Sequence, residues 1–287
     1  MNSKTKQSVY VLFHGGGCFD GFGAAYSAWK AFKDKPNFSV KYVPVNYYQP
    51  IPVPEEELKT TIIYVVDFSY PREELLRVKA LAQDILVLDH HKTAQKDLEG
   101  LDFAQFNMDK SGAMLSWEHF HPTTPAPRLI QYIQDRDLWT WGLESSKEVN
   151  AVLQSLNLDN VEEGFKNLQE YEERLENQLK ETIAEGTAVL RSVNKSVLLS
   201  IQRSLCWMDI AGFNVPVVNT NLLESEIGNK LLDLYPEADF SATYFDDGKG
   251  EEKWSLRGKG KVDLGAIAKT FNGGGHRDAA GFKKKKK

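Results

Sequence analysis

Two of the chain's six histidines stand side by side in Val87-Leu88-Asp89-His90-His91, behind an aspartate at the end of an apolar run. Imidazole and carboxylate placed there serve packing, a metal ion or a phosphate. Other stretches offer the same chemistry. In "FHGGGCFDGFGAA", residues 13–25, His14, Cys18 and Asp20 follow one another at spacings of four and two. Asp67 closes the apolar run "TTIIYVVDFS", and Asp135 and Asp137 lie in "QDRDLWTW". A mixed imidazole and carboxylate set suits Mn²⁺, Fe²⁺ or Zn²⁺ better than Ca²⁺. His14, Asp20, Asp67, His90 and Asp135 are too many for one tetrahedral zinc and about right for two metals sharing a carboxylate. Such a pair activates a water and stabilises the leaving oxygen in phosphoryl displacement. Asp67, on the middle strand, is the natural bridge.

Each residue also has an ordinary use. His14 alone would be a core or surface histidine. Asp67 could cap the turn towards Pro71, and Asp89 could cap a loop. Asp135 and Asp137 could pair with Arg136 or Arg128. Cys18 could be a small buried hydrophobe. His119 and His121 border a Pro-rich loop and receive no role. Four of the six histidines fall in the motifs, and convergence on one place outweighs the separate readings.

That place is set by the elements around the motifs. Residues 8–15, 38–47, 60–69 and 84–91 read as strands, from β-branched and aromatic runs. Residues 21–33 and 71–83 read as helices, the second opening with a proline followed by acids. Alternation of this kind predicts βαβ units and a mostly parallel sheet, an α/β fold. His14, Asp67 and Asp89-His90-His91 then sit at the C-terminal ends of three strands, where open α/β sheets bind ligands. Residues 111–120 and 126–138 read as helices. From 161 to 193 one apolar face (Phe165, Leu168, Leu175, Leu179, Ile183) predicts a long helix bridging two domains. Beyond it, "KSVLLSIQ" (195–202) and "FNVPVVNT" read as strands and "LLESEIGNKLLDLY" as a helix. "DFSATYFDD" with "EKWSLRG" reads as a hairpin, and "VDLGAIAKTF" as a short helix. In "NGGGHRDAAGF" three glycines precede His276, as in a backbone cradle for an anion or in a simple turn.

Bulk composition excludes several classes. The 287 residues are 41% hydrophobic and 26% charged, enough for one large domain or two ordinary ones. No apolar run approaches a membrane span, and the first residues lack the pattern of a signal peptide. Two cysteines make no disulfide framework, so the expected compartment is the cytoplasm. A net charge of −5 argues against a binder of long nucleic acid. The final "KKKKK" reads as a solvated tail.

These motifs resemble those of the DHH phosphoesterases, named for Asp-His-His. "VLDHHKT" resembles the signature, and "FHGGGCFDGFGAA", "VVDFS" and "QDRDLW" resemble the other metal motifs in order. "WSLRGKGKVDLGAIAKTFNGGGHRDAAGF" resembles the DHH-associated C-terminal domain. The likeness spans essentially the whole chain and is nearest to small oligoribonucleases and 3′-phosphoadenosine 5′-phosphate phosphatases. It implies a catalytic metal domain over 1–160, a bridging helix over 161–193 and a substrate-binding domain over 194–287, with a cleft between the domains. It implies two divalent cations, Mn²⁺ first, held by His14, Asp20, Asp67, His90 and Asp135, the last preferred to Asp137 because Trp139 follows it by four. His91 would face the substrate phosphate, with Asp89 orienting the histidine pair. Arg257, Gly274, Gly275 and His276 would hold the substrate's far end. Cys18 stands at a further ligand position where the family pattern has Asp. A thiolate matches Mn²⁺ poorly. Either the first metal is under-coordinated, or the site takes a softer ion, or one metal is weakly held.

The implied activity is hydrolysis of short oligonucleotides to 5′-mononucleotides. The alternatives are a 3′-phosphoadenosine 5′-phosphate phosphatase, a cyclic dinucleotide phosphodiesterase and a non-catalytic nucleotide-binding protein. The expected partner is a short oligonucleotide or small phosphorylated nucleotide, with no long nucleic acid and no membrane. A homodimer is implied by resemblance alone.

Overall fold

A computed structural model describes residues 6–285. The chain forms two compact units that divide between Leu190 and Arg191.

The first unit is built on five strands: β1 (Gln7–His14), β2 (Phe38–Val45), β3 (Thr61–Val66), β4 (Asp84–Asp89) and β5 (Ala104–Phe106). All pair in parallel, in the order β2-β1-β3-β4-β5. Both faces are covered, and β1 shows how. Val9, Val11 and Phe13 enter one core, and the alternate residues Tyr10 and Leu12 enter the other. This is the period-two exchange of a strand buried on both sides. On the first face pack α1 (Phe19–Phe32), α4 (Gly112–Phe120), α5 (Arg128–Asp137), α6 (Ser146–Leu153) and α7 (Val161–Asn177). On the other lies α2 (Arg72–Leu81), and the short α3 (Lys92–Asp97) follows β4.

Register brings the strand ends level. Phe13 pairs with Val66, and Val66 with Leu88. The next residues along the three strands are His14, Asp67 and Asp89, so the row of polar residues follows directly from the sheet's alignment.

The single helix expected over 161–193 is two helices. α7 ends at Gln178 (φ −140°, ψ 43°), and α8 runs from Leu179 to Ser204. Phe165, Leu168, Tyr171 and Leu175 are buried in the first unit's core, so α7 belongs to that unit. The strand expected over 195–202 is also overturned, because this stretch continues α8. Val193, Val197 and Ile201 recur every four residues and pack together on one helical face.

In the second unit the elements are β6 (Leu205–Ile210), β7 (Phe213–Asn219), α9 (Glu224–Leu234), β8 (Phe240–Asp246), β9 (Glu251–Gly258), α10 (Leu264–Lys269), β10 (Gly274–Gly275) and β11 (Ala279–Lys285). The sheet order is β10-β11-β9-β8-β7-β6. β7 and β8 are parallel and the other pairs antiparallel. The lysine run departs from the expected tail. Residues 283–285 extend β11 against β9, facing Lys253, Glu252 and Glu251, while 286 and 287 lie outside the described residues. Among the described residues no helix is long and apolar enough to cross a membrane.

Candidate metal centre

Asp67 lies at the middle of the row. It directly follows β3 in a left-handed conformation, φ 53°. Aspartate tolerates this region better than most residues, at a cost of about 1–2 kcal/mol. Its side chain is 1% exposed. His14 Nδ1 lies 3.5 Å from Asp67 Oδ2, and His90 Nε2 lies 3.2 Å from Asp67 Oδ1. His90 Nε2 is also 3.5 Å from Asp20 Oδ2 and 3.5 Å from Asp137 Oδ2. Cys18 caps α1, accepting from Gly21 N, and its Sγ lies 3.4 Å from Asp67 Oδ2.

Local sequence makes this crowding possible. A Cβ on Gly21 would fall 2.2 Å from His14 O, so glycine lets α1 start against the end of β1. A Cβ on Gly112 would fall 2.4 Å from Asp67 Cβ. Gly112 opens α4, whose first N–H groups hold Asp20: Gly112 N donates to Oδ2 at 2.6 Å and Ala113 N to Oδ1 at 3.0 Å. Carboxylates are favoured at such a helix start.

Charge is unbalanced here. Burial and the neighbouring Asp67 and Asp137 hold Asp20 well above the usual carboxylate range. Burial likewise raises Asp137, with Asp67 adding to it. Burial would raise Asp67 too, but His14 and His90 outweigh it and hold Asp67 well below that range. Burial would lower both imidazoles; Cys18 and then Asp67 instead lift His14 to about 11, and Asp67 with Asp137 lifts His90 to about 10. Burial, then Asp67, pushes the Cys18 thiol up to about 11. His14 Nδ1 and Asp67 Oδ1 are buried yet accept or donate no hydrogen bond. Within the first unit two groups of ligand atoms lie within 4.8 Å of one another: Asp20, Asp67 and His90, and His14, Asp67 and His91. Asp67 is common to both. Two buried atoms left without a hydrogen bond, His14 Nδ1 and Asp67 Oδ1, among crowded carboxylates fit a divalent cation. Imidazole with carboxylate suits a transition ion.

Asp89 acts through hydrogen bonds. Its Oδ1 accepts from His90 N (2.7 Å) and His91 N (3.2 Å), and lies 2.7 Å from His91 Nδ1; its Oδ2 accepts from Ser69 Oγ at 2.6 Å. Burial would raise its pKa, but the charge and hydrogen bond of His91 lower it. An ionised carboxylate only accepts, so the His91 proton sits on Nδ1. Sequence reading missed Ser69 and Gly112; the Ser111-Gly112 pair ahead of an apolar helix was the available signal for the second.

Asp135 is expected as the last ligand, but the acid that stands beside His90 is Asp137. Asp135 is buried away from His90 and accepts from Thr140 Oγ1 (2.6 Å), Gly142 N (2.8 Å) and Leu143 N (3.2 Å). Burial is outweighed by bonds from Ser146, Thr140 and these amides, so its pKa is lowered. Asp137 stands beside His90 with its side chain 28% exposed. Helical spacing carried the signal: Ile130, Ile133 and Asp137 lie three and four apart on one face. That face meets α1, where a Cβ on Gly23 would fall 2.8 Å from Ile133 Cδ1.

In the second unit β9 and β11 bring the remaining candidates to one sheet edge. Arg257 pairs in register with Ala279, whose carbonyl accepts from His276 N at 2.7 Å. Arg257 Nη2 donates to Ser225 Oγ at 2.6 Å and Nη1 to Leu256 O at 2.8 Å. Gly274 and Gly275 form β10 against Gly281 and Ala280. Gly275 has φ 134°, and a Cβ there would meet Ala279 O at 2.6 Å. Gly273 N donates to Ala268 O. The glycines therefore serve close strand packing, and the N–H groups of Gly273 and His276 are engaged in the fold.

No protein-family model matches the chain. Uncharacterized protein R106 of Acanthamoeba polyphaga mimivirus is 30% identical over 302 residues, covering 96% of this chain and 68% of that protein. Among solved structures, an uncharacterized protein from Helicobacter pylori G27 has a TM-score of 0.50 at 19% identity, covering 96% of this chain and 93% of that one. An exopolyphosphatase-related protein from Bacteroides fragilis has a TM-score of 0.50 at 15% identity, covering 98% and 87%. With the two solved structures the chain shares a mixed α/β fold, a parallel five-strand sheet followed in sequence by a second sheet, and it belongs to the same family as mimivirus protein R106.

Proposed function

We propose that the protein is a metal-dependent phosphodiesterase that hydrolyses short oligonucleotides, dinucleotides included, to 5′-mononucleotides. The observation that carries this reading is one carboxylate, Asp67, common to two donor groups at the level ends of three parallel strands. A two-metal hydrolytic site needs such a bridge. Asp20, His90 and Asp137 would share one cation with Asp67. His14 would share the other, with Cys18 beside it. When bound, the cations supply Lewis-acid polarisation of the phosphoryl group and acidification of a water.

The chain's own groups supply position and charge. Asp89, pinned by Ser69 and by the N–H groups of His90 and His91, fixes the His91 ring. His91 then stands edge-on to His14, ring centres 6.0 Å apart, with its proton held on Nδ1. With a proton on Nε2 as well, His91 would donate from that atom to a phosphoryl oxygen as charge develops. In the second unit Arg257, with Gly274, Gly275 and His276, would hold the distal phosphate or nucleotide. Arginine's planar fork matches a phosphate. The preference for short oligonucleotides rests on the likeness of these motifs to those of the small oligoribonucleases.

The test is a product assay on the full chain, stripped of metal and reloaded with Mn²⁺, Co²⁺ or Zn²⁺. A 5′-phosphorylated diribonucleotide and 3′-phosphoadenosine 5′-phosphate are offered in parallel, with a chelator control and mass detection. Metal-dependent conversion of the dinucleotide to two 5′-mononucleotides is expected. Turnover of the monoester alone, or of neither, overturns the reading.

A further inference from the structure

We propose that Trp139 and Trp141 form a stacking platform for one nucleobase of the substrate at the rim of the metal centre, an inference that rests on the phosphodiesterase reading above. The two rings stand edge to face, centroids 4.9 Å apart and planes at 76°. In such a pair only one of the four ring faces is covered by the partner ring. Both residues are partly exposed. Neither ring is among those packed on the two cores of this unit, so core filling does not account for them.

Their position is tied to the centre. Trp139 follows Asp137 by two residues, which limits their Cα separation to about 7 Å. Asp137 is the most exposed of the carboxylates around His90. A phosphate held there has its attached nucleoside within reach of the rings. Lys147 Nζ lies 5.7 Å from the centre of the Trp141 ring. Aromatic faces beside a cation recur where single-stranded nucleic acid is bound through stacking and charge.

The backbone shows that the display is enforced. Trp139 and Trp141 both take left-handed φ values, 57° and 53°, a region that bulky residues rarely enter. Asp135 holds the turn. Its carbonyl accepts from Thr140 N and Trp141 N at 2.9 and 3.4 Å. Its carboxylate gathers Thr140 Oγ1, Gly142 N and Leu143 N. A buried acid thus fixes two strained tryptophans next to the phosphoryl site. Asp135 is a positioning residue for the platform.

The experiment compares AMP with ribose 5-phosphate, which lacks the base. Binding to the full chain is followed by tryptophan fluorescence, and in W139A, W141A and W141F by calorimetry. AMP is expected to bind more tightly and to quench, and ribose 5-phosphate to do neither. W139A and W141A are expected to weaken AMP by about tenfold or more, the range of one base stack. Ribose 5-phosphate should be unaffected, and W141F should retain most of the AMP affinity. If wild type cleaves a dinucleotide but binds the two ligands equally, with the variants unchanged, the platform alone is overturned. If wild type neither cleaves nor binds nucleotides, the phosphodiesterase reading falls with it. Should an alanine variant fail to fold, the wild-type comparison and W141F still decide.

Discussion

The strand ends of the first unit and the glycine loop of the second both gather charged and small residues, yet they treat their polar atoms differently. At the strand ends, His14 Nδ1 and Asp67 Oδ1 are buried without hydrogen bonds, and neighbouring carboxylates are crowded until their pKa values part. At the glycine loop, the N–H groups of Gly273 and His276 meet the carbonyls of Ala268 in α10 and Ala279 in β11, and Arg257 donates to Ser225 and Leu256. Buried polar groups are normally satisfied. The first region therefore has the makings of a cation site, whereas the amides of the second are bonded within the fold. Metal should stabilise one and leave the other alone.

Removing the shared charge gives the largest effect. D67N should lower metal-dependent turnover by roughly 10²–10³-fold or more. Asparagine tolerates the left-handed backbone and relieves repulsion, so the melting temperature in chelator should stay near that of wild type. Near-normal turnover with saturating metal would break the two-cation reading. Next is G112A, which places a Cβ against Asp67 and should cost about 1–3 kcal/mol by denaturant unfolding. Its metal stoichiometry, read by mass spectrometry, should fall as well.

Two acids two residues apart then sharpen the contrast. D137N should weaken metal binding by about tenfold or more, with little change in stability. D135N should keep the metal stoichiometry but lose about 1.5–3 kcal/mol from its hydrogen bonds. Exchange of these phenotypes would restore Asp135 as the ligand. The smallest effect is expected from R257A. It should raise KM for a dinucleotide while leaving kcat on a minimal phosphodiester, and metal content, unchanged. Equal loss on both substrates would place Arg257 outside substrate binding.

The strands carrying His14, Asp67 and Asp89 were legible because each motif is local. A β-branched run ends in the residue that matters, and parallel register does the rest. Asp137 was harder to read. Choosing between two acids on one helix requires knowing which face meets α1, and the aromatic that follows was a poorer guide than the Ile130-Ile133-Asp137 spacing. Residues 195–202 failed for a related reason. Val197, Leu198, Leu199 and Ile201 look strand-like as a run, but burial selects every fourth position. Ser69 and Gly112 left little signal, because their importance comes from partners 20 or more residues away.

The left-handed turn at Asp67 has a consequence for descent. Position 67 is locked twice, by the charge that the proposed cation site asks of its side chain and by the handedness its backbone adopts. Glutamate would keep the charge but reach too far from an unfavourable backbone. Glycine would keep the backbone and lose the charge, and asparagine would keep shape and backbone without it. Relatives that abandon the chemistry while keeping the fold should therefore leave by the narrow doors of asparagine or glycine, and alanine or serine should be rare there.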